Sequence, residues 1–314
     1  MWIFVSTVVT LMMKNPQGHI GSLFRYPVKG LSANELTRVT FTHPGECFPD
    51  DRRFALLLRE KEKLFDPNNP KWLHKENFVC AFSDPQRLSQ LVSSYEIVDP
   101  SKQSHPMYDI ESSKGNTRLE SKNPIQRLLS IRDRRSNHVV LEPTDLCHDT
   151  GRREVSRFFA QRFNKDIICT TATPSEISIS QHQFGNTASG VKARGDTRTI
   201  HIINAETVKD FSHTINIPIH PSRFRPNIVL EGLPPWSEMD WVGRTIQIGD
   251  VTLSVIQQTV RCRGISIDPM DPEVELDIPK LLIDYFPQYG PYFGVYAVVD
   301  VPGTIEVGNS VFDI

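Results

Sequence analysis

The most chemically suggestive stretch of the sequence is a cysteine between two arginines, Arg261-Cys262-Arg263. Neighbouring cations favour the thiolate form of a cysteine, and the thiolate is the form that binds metals and acts as a nucleophile. An alternating apolar run precedes Cys262, and Asp268-Pro269 follows it, so the thiol is expected near the end of a strand. The local sequence leaves a second interpretation open, a half-buried structural cysteine at a strand end.

Composition excludes several classes of protein. The 314 residues fit one large or two ordinary domains, and the chain is 39% hydrophobic and 23% charged, as is typical of soluble globular proteins. A formal net charge of −2 gives no electrostatic reason to expect nucleic acid or an anionic membrane surface as a partner. The five cysteines are scattered without a Cys-x-x-Cys pair, which argues against disulfide frameworks and zinc knuckles and favours a reducing compartment.

The elements that must position Cys262 are predicted to be mostly strands. Turn residues separate β-branched and aromatic runs from His19 to Leu58, which is the pattern of successive strands. Gly249-Asp250 forms a tight turn between two alternating apolar runs, which predicts a hairpin that ends near Cys262. Apolar spacing predicts a helix over Val155–Phe163, and Asn204 can cap another. The fold class is therefore mostly β (α+β), with barrels rather than a doubly wound sheet.

Two segments stand apart from this pattern. Residues 1–18 begin with the apolar Met1–Met13, which are fewer than the roughly 20 residues of a membrane span. The first lysine is Lys14, after the apolar run, so the basic start of a secretory signal is missing. Three interpretations of Met1–Met13 stay open: a weak membrane anchor, a targeting segment and an extra strand. Gln181–Arg198 is polar and unpatterned, which predicts a mobile loop, with a place at a substrate entrance left open.

Several of these stretches resemble a known family. Tyr26-Pro27-Val28-Lys29-Gly30, followed by Asp51-Arg52-Arg53-Phe54, is similar to the β-barrel domain that precedes MOSC domains. Phe224-Arg225-Pro226-Asn227-Ile228, the Gly249-Asp250 hairpin and Arg261-Cys262 resemble the MOSC domain itself. The similarity extends to the mitochondrial amidoxime-reducing component and its bacterial homologues. It implies an N-terminal β-barrel domain over residues 19–142, packed on a MOSC β-barrel domain over residues 143–314 with short helices.

The resemblance also implies a cofactor and a set of residues that hold it. Such proteins bind a pterin-type molybdenum cofactor, and Cys262 would be its one protein ligand to molybdenum and the catalytic residue. A soft thiolate suits a metal already held by sulfur, and arginine offers a planar fork to a phosphate. The cofactor-contacting positions implied in this way are Lys29, Gly30, Arg53, Asn204, Arg225, Asn227, Val260 and Arg261.

Each of these residues also has an ordinary structural interpretation. Lys29 and Arg53 could be surface charges at strand ends, Arg225-Pro226-Asn227 a turn with a salt bridge, and Asn204 a helix cap. The amidoxime-reducing type carries a serine where this chain has Gly30 and often a small polar residue at Val260, so a contact at Val260 would be through the backbone. His201 and Asp268 are candidate proton donors, although packed or turn positions are more typical of both.

On the resemblance, the expected function is a molybdenum oxidoreductase that reduces small N-hydroxylated or N-oxide compounds. No ferredoxin-like cysteine cluster follows the MOSC part, so electrons would come from a separate protein, namely a b-type cytochrome and its reductase. The expected location is the mitochondrial outer membrane or the cytoplasm. Two alternatives stay open: a sulfur or molybdenum cofactor carrier that acts through Cys262, and a non-catalytic binding module.

Overall fold

The computed structural model describes residues 17–66, 73–100, 124–171, 184, 198–271 and 273–313. The apolar segment Met1–Met13 lies outside the described residues, as does the predicted loop Gln181–Arg198 apart from Phe184 and Arg198. No helix among the described residues is long and apolar enough to span a bilayer.

Strands dominate the described chain. In chain order they are β1 Gly18–Arg25, β2 Asn34–Leu36, β3 Arg38–Thr40, β4 Phe54–Leu58, β5 Phe78–Val79, β6 Leu91–Val98, β7 Gln126–Asp133, β8 Val139–Asp145, β9 Ile167–Thr171, β10 Ile200–Asn204, β11 Ile228–Glu231, β12 Thr245–Ile248, β13 Val251–Val260, β14 Tyr292–Val301, β15 Thr304–Glu306 and β16 Ser310–Asp313. The helices are α1 Pro85–Ser89, α2 Asp149–Phe163, α3 Ala205–Ile215 and α4 Ile278–Tyr285. The predicted mostly-β architecture with a barrel and a few short helices is confirmed.

Seven strands form a closed barrel in the order β11-β10-β14-β13-β12-β16-β1, and β1 pairs back onto β11. Closure removes the open edges of these seven strands, and β2 pairs with the end of β1 as an eighth strand outside the ring. The predicted hairpin is β12–β13, in which Ile248 pairs with Val251 and Gly249 adopts the positive φ of 55° that a tight turn needs. The alternating apolar side chains of this hairpin fill the barrel interior, where Ile246, Ile248 and Leu253 are fully buried.

A second unit consists of two three-stranded sheets and helix α2. The sheets have the orders β5-β4-β9 and β6-β7-β8. Helix α2 covers them with its apolar face, because Val155, Phe159 and Phe163 are buried in one cluster with Leu56 of β4 and Ile131 of β7. The spacing that predicted this helix is therefore the spacing of its buried face.

Strand pairing crosses the predicted division between residues 19–142 and 143–314 in both directions. Strand β1 belongs to the barrel, where it pairs with β11 and β16. Strand β9 belongs to the second unit, where it pairs with β4 from Phe54 to Leu58. The division therefore stays a prediction. The crossing matters for function because it carries the residues after β1 directly from the barrel wall to the second unit.

Candidate functional site

One cavity of about 490 Å³ brings together residues from both units, a volume within the usual range for small-molecule sites. Its walls come from the stretch after β1, from the segment around β5, and from the barrel strands β10, β13 and β14. The lining residues are Lys29, Gly30, Arg52, Leu73, His74, Lys75, Cys80, Ala81, Phe82, His201, Phe224, Arg225, Asn227, Val260, Arg261, Cys262, Gly264, Ile265 and Tyr296.

The charge of this lining is one-sided. Five of its residues are lysine or arginine, and none of the described lining residues is aspartate or glutamate. The contrast with the formal net charge of −2 for the whole chain shows that the cations are gathered locally. A concave surface lined by one sign of charge focuses the field inside it, so the cavity favours an anionic ligand.

Cys262 lies at the mouth of the cavity. Its side chain is exposed, and the residue precedes a short 3₁₀ turn over Arg263–Ile265. A Cβ at Gly264 would lie 3.5 Å from the Cys262 Sγ and 3.7 Å from the Phe82 Cβ. The thiol and Phe82 thus flank the same space over Gly264, and the sulfur is accessible from the cavity and from solvent.

Arg223 fixes the loop that carries Cys262. Its side chain is fully buried and donates to the carbonyl oxygens of Ile265 at 2.9 Å and Ser266 at 2.5 Å. It also pairs with the Asp268 carboxylate at 3.3 Å. Asp268, predicted as a candidate proton donor, therefore serves this ion pair and does not line the cavity. Sequence inspection did not single out Arg223, although it stands two residues before Arg225 in the same motif.

His201 and Arg261 form a hydrogen-bonded pair in the cavity wall. The Arg261 Nη1 donates to the His201 Nε2 at 3.4 Å, and the His201 Nδ1 faces the Arg225 carbonyl oxygen at 3.4 Å. Burial, followed by the charge of Arg261, holds the pKa of His201 well below its usual range. A neutral imidazole whose N–H already binds a carbonyl is poorly suited to donate a proton, so His201 acts here as an acceptor that orients Arg261.

Arg261 is held in the cavity wall by its terminal guanidinium nitrogens. Its Nη2 donates to the Phe224 carbonyl oxygen at 2.8 Å, and burial lowers the pKa of the side chain. Its Nε is buried without a hydrogen-bond partner in the part of the chain that the structure describes. A buried donor without a partner carries a desolvation cost.

Asp51 is the acceptor that organises the floor of the cavity. It is fully buried and accepts from the Tyr26 backbone N–H at 2.7 Å, from the Asn227 Nδ2 at 3.3 Å and from Arg52. The Asn227 Oδ1 in turn accepts from the His201 backbone N–H at 3.1 Å. The side-chain amide of Asn227 therefore links β10 and β11 to the stretch after β1 through hydrogen bonds. The residue also lines the cavity.

Lys29 and Gly30 approach the cavity from the second unit. The Lys29 Nζ donates to the Phe184 carbonyl oxygen at 2.7 Å, and burial lowers the pKa of Lys29 to about 8. Gly30 has a φ of 91°, and a Cβ there would lie 2.6 Å from the Cys80 Cα. A serine does not fit at this position because both the backbone conformation and the space exclude a side chain. The departure from the amidoxime-reducing type at Gly30 thus has a steric reason.

Two of the predicted cofactor-contacting residues do not line the cavity. Arg53 is buried and pairs with Asp50 at 3.1 Å, and its neighbour Arg52 lines the cavity instead. Asn204 caps helix α3, since its Oδ1 accepts from the Glu206 backbone N–H at 2.9 Å. The structure brings together the other predicted residues, Lys29, Gly30, Arg225, Asn227, Val260, Arg261 and Cys262.

The cap at Asn204 is coupled to a buried carboxyl group with a shifted pKa. Glu238 is fully buried, and its Oε2 accepts from the Thr207 Oγ1 at 2.9 Å and the Asn204 Nδ2 at 3.3 Å. Its Oε1 has no hydrogen-bond partner among the described residues. Burial raises the pKa of Glu238 from 4.5 to about 7.

We expect the free energy of unfolding to fall as the pH rises from about 4.5 to about 7. In this window the folded protein keeps the proton on Glu238 that the unfolded chain loses, so the unfolded state binds fewer protons; the total change is on the order of 1–3 kcal/mol. Denaturant unfolding of wild type and Glu238→Gln at several pH values measures it. The variant should lose this part of the pH dependence, and an unchanged slope would contradict the assignment to Glu238.

The family comparison matches the C-terminal part of the chain, which carries every barrel strand except β1. The MOSC domain family matches residues 182–312. Human mitochondrial amidoxime-reducing component 1 is 32% identical over 130 residues, which are 38% of this chain and 38% of that protein. Molybdenum cofactor sulfurase of Caenorhabditis elegans is 33% identical over 97 residues, 30% of this chain and 13% of that protein. The matched region is thus well under two thirds of the length of either relative.

Among solved structures, YiiM from Geobacillus stearothermophilus is 24% identical and covers 37% of this chain and 53% of its own, with a TM-score of 0.29. Such a score adds nothing to the fold described above.

Proposed function

We propose that the protein, whose residues 182–312 match the MOSC domain family, is a molybdenum-cofactor-dependent oxidoreductase for N-hydroxylated or N-oxide compounds. One observation carries the proposal: an accessible thiol and five cations surround a single cavity that has no acidic residue in its described lining. The relatives named as an amidoxime-reducing component and as a molybdenum cofactor sulfurase support it.

The residues present fit a pterin molybdenum cofactor, which combines a phosphate with a metal held by sulfur. Cys262 would be the protein ligand to the metal, because a soft thiolate suits such a centre. Lys29, Arg52, Arg225 and Arg261 would hold the anionic part, and arginine forks are well matched to phosphate oxygens.

When bound, the cofactor supplies the two-electron chemistry that takes the oxygen from an N–O group. The chain's own contribution is to bind and to orient. Arg261 is held in place by the Phe224 carbonyl and by His201, and Arg223 holds the Cys262 loop. His201 is neutral and committed, so the two protons that leave with the oxygen as water come from solvent at the mouth, where Cys262 is exposed.

The same exposed mouth has to admit the substrate and the electron donor. Val260 lies at the rim and is 44% exposed, and its cross-strand partner Tyr292 is 38% exposed. These two side chains would give an apolar edge to a small N-hydroxylated substrate. We propose that electrons come from a separate b-type cytochrome and its reductase, as the resemblance to the amidoxime-reducing type implies.

A second candidate function is a sulfur or molybdenum cofactor carrier that acts through Cys262. The exposure of this thiol favours it, because a carrier must present its sulfur or its cargo to another protein. The relative named as a molybdenum cofactor sulfurase is consistent with this alternative.

Metal analysis combined with one assay separates the candidates. The full chain is produced in a host that makes the cofactor, its molybdenum and pterin contents are measured, and benzamidoxime reduction is followed with a chemically reduced viologen dye. We expect about one molybdenum per chain and turnover to benzamidine. Bound molybdenum without turnover of benzamidoxime or other N-oxygenated compounds would favour the carrier. Protein without molybdenum or pterin would contradict both the oxidoreductase and the molybdenum cofactor carrier, and would leave a sulfur carrier or a non-catalytic binding module.

A further inference from the structure

Tyr26 lies under the cavity and contacts two of its cations at once. The Arg52 Cζ lies over the Tyr26 ring at 4.8 Å from the centroid, and the Arg225 Cζ lies over the same ring at 4.2 Å. Both arginines line the cavity, whereas Tyr26 is 1% exposed and does not. Cation–π attraction is strongest where water is excluded, so this buried ring anchors both guanidinium groups.

The ring, not the hydroxyl group, makes these contacts. The Tyr26 Oη is buried and has no hydrogen-bond partner within the described ranges of the chain. Burial raises the pKa of Tyr26 to about 12, so the phenol is neutral at physiological pH and is no counterion for the arginines. The structure therefore gives the aromatic face a role and the hydroxyl none.

Both arginines are held in unusual backbone conformations. Arg52 has a φ of 51° and Arg225 a φ of 54°, in the left-handed region that non-glycine residues seldom occupy and that recurs at ligand-binding sites. Each guanidinium has one further tether, Arg52 to the Asp51 carboxylate and the Arg225 Nη2 to the Leu31 carbonyl oxygen at 2.9 Å. The remaining N–H groups stay available to the cavity.

The two guanidinium groups over this ring repel each other, and an anion bound by both of them relieves that repulsion. Burial lowers the pKa of Arg225 to about 10, so this side chain remains a cation at neutral pH, and the carboxylate of Asp51 is bound to Arg52. A phosphate dianion has oxygens on several sides and can accept from two planar forks at once.

We propose that Tyr26 is a positioning residue that holds Arg52 and Arg225 as a pair for one phosphate group. This places the phosphate end of the bound compound beside the two guanidinium groups that lie over Tyr26. That the phosphate belongs to the molybdenum cofactor rests on the proposed function. The existence of the arginine pair and its dependence on the Tyr26 ring do not rest on that function.

The test compares Tyr26→Phe with Tyr26→Leu in the full chain. Inorganic phosphate is titrated into cofactor-free protein by calorimetry, and thermal unfolding is recorded without phosphate. We expect Tyr26→Phe to bind phosphate within about twofold of wild type and Tyr26→Leu to bind at least about tenfold more weakly, since only leucine removes the cation–π contacts. Arg263→Ala, which removes an exposed arginine that is not among the residues lining the cavity, is the matched control and should bind phosphate as wild type does.

A double-mutant cycle separates positioning from general damage to the fold. Arg225→Lys should weaken phosphate binding in wild type but cost much less in the Tyr26→Leu background, whereas independent effects would add. Arg52→Lys, which keeps the charge but loses the planar fork, covers the case in which Tyr26→Leu does not fold, and should weaken binding by a similar factor. The proposal would be overturned if the losses of phosphate affinity in the double mutant were additive, or if Tyr26→Phe and Tyr26→Leu lost equal affinity.

Cofactor content then identifies the source of the phosphate. In protein made with the cofactor present, Tyr26→Leu should lose pterin and molybdenum together, and Tyr26→Phe should keep both. Weaker phosphate binding with full cofactor retention would overturn the assignment to the cofactor. Wild-type protein that binds phosphate through Tyr26 but never acquires molybdenum would refute the proposed function and leave the arginine pair standing.

Discussion

Replacing Cys262 with serine should remove molybdenum from the protein and lower benzamidoxime reduction by about 100-fold or more. Even residues that only support a metal ligand change metal affinity or activity by about 10- to 100-fold, and serine offers a hard, protonated oxygen in place of a soft thiolate. The side chain is exposed, so the substitution should leave the free energy of unfolding nearly unchanged. Metal analysis, steady-state turnover and denaturant unfolding of the same preparation measure all three quantities.

Cys80→Ser is the matched control because Cys80 lines the same cavity. It is 5% exposed, and its Sγ donates to the Lys75 carbonyl oxygen at 3.6 Å. The Cys80 thiol is therefore buried and hydrogen-bonded in the cavity wall, whereas the Cys262 thiol is exposed. We expect Cys80→Ser to keep molybdenum and most of the activity. Cys262→Ser with cofactor and activity intact would refute the role of this thiol as the metal ligand, whatever the control shows.

The parts of the fold that could be predicted from sequence are those with local signals. The β12–β13 hairpin follows from Gly249 and the alternating residues beside it, and α2 follows from the spacing of Val155, Phe159 and Phe163. The placement of β1 in the barrel could not be predicted, because its partners β11 and β16 are far along the chain. Nothing in the local sequence of β1 distinguishes a strand of the barrel from a strand of the second unit.

The sequence also could not show that Arg52, and not the predicted Arg53, lines the cavity. Side chains of a regular strand alternate between faces, but Asp50 and Arg52 both adopt positive φ, at 61° and 51°, just before β4 begins. This breaks the alternation, so a motif with two adjacent arginines does not show which one faces the ligand. Arg53 is instead bound to Asp50 at 3.1 Å.

The roles of His201 and Arg261 also depend on distant partners. The sequence shows a histidine in a strand and an arginine beside a cysteine, but their pairing at 3.4 Å joins β10 to the end of β13. That contact, with burial, holds the pKa of His201 well below its usual range and gives its Nε2 the role of an acceptor from Arg261. Residue type could identify the cations of this site, whereas only the fold shows which of them are free to bind.

Arg223→Ala should lower the free energy of unfolding by about 3–5 kcal/mol, the usual cost of removing one partner from a buried ion pair. The guanidinium is fully buried, and the substitution would leave the Asp268 carboxylate and the carbonyls of Ile265, Ser266 and Val274 without their donor. Arg223→Lys keeps the charge but not the planar fork, so we expect it to lower the free energy of unfolding by less than Arg223→Ala does. Denaturant unfolding at neutral pH measures both variants.

The functional consequence should exceed what reduced stability explains, because two of the carbonyls bound by Arg223 belong to the loop that follows Cys262. In folded Arg223→Lys protein we expect molybdenum content and turnover to fall while phosphate binding, which involves Arg52 and Arg225, persists. Arg263→Ala is the control, since this arginine is exposed beside the same cysteine and surface substitutions typically change stability by no more than about 0.5 kcal/mol. If Arg223→Lys retained full metal content and turnover, a guanidinium fork at position 223 would not be what positions the thiol.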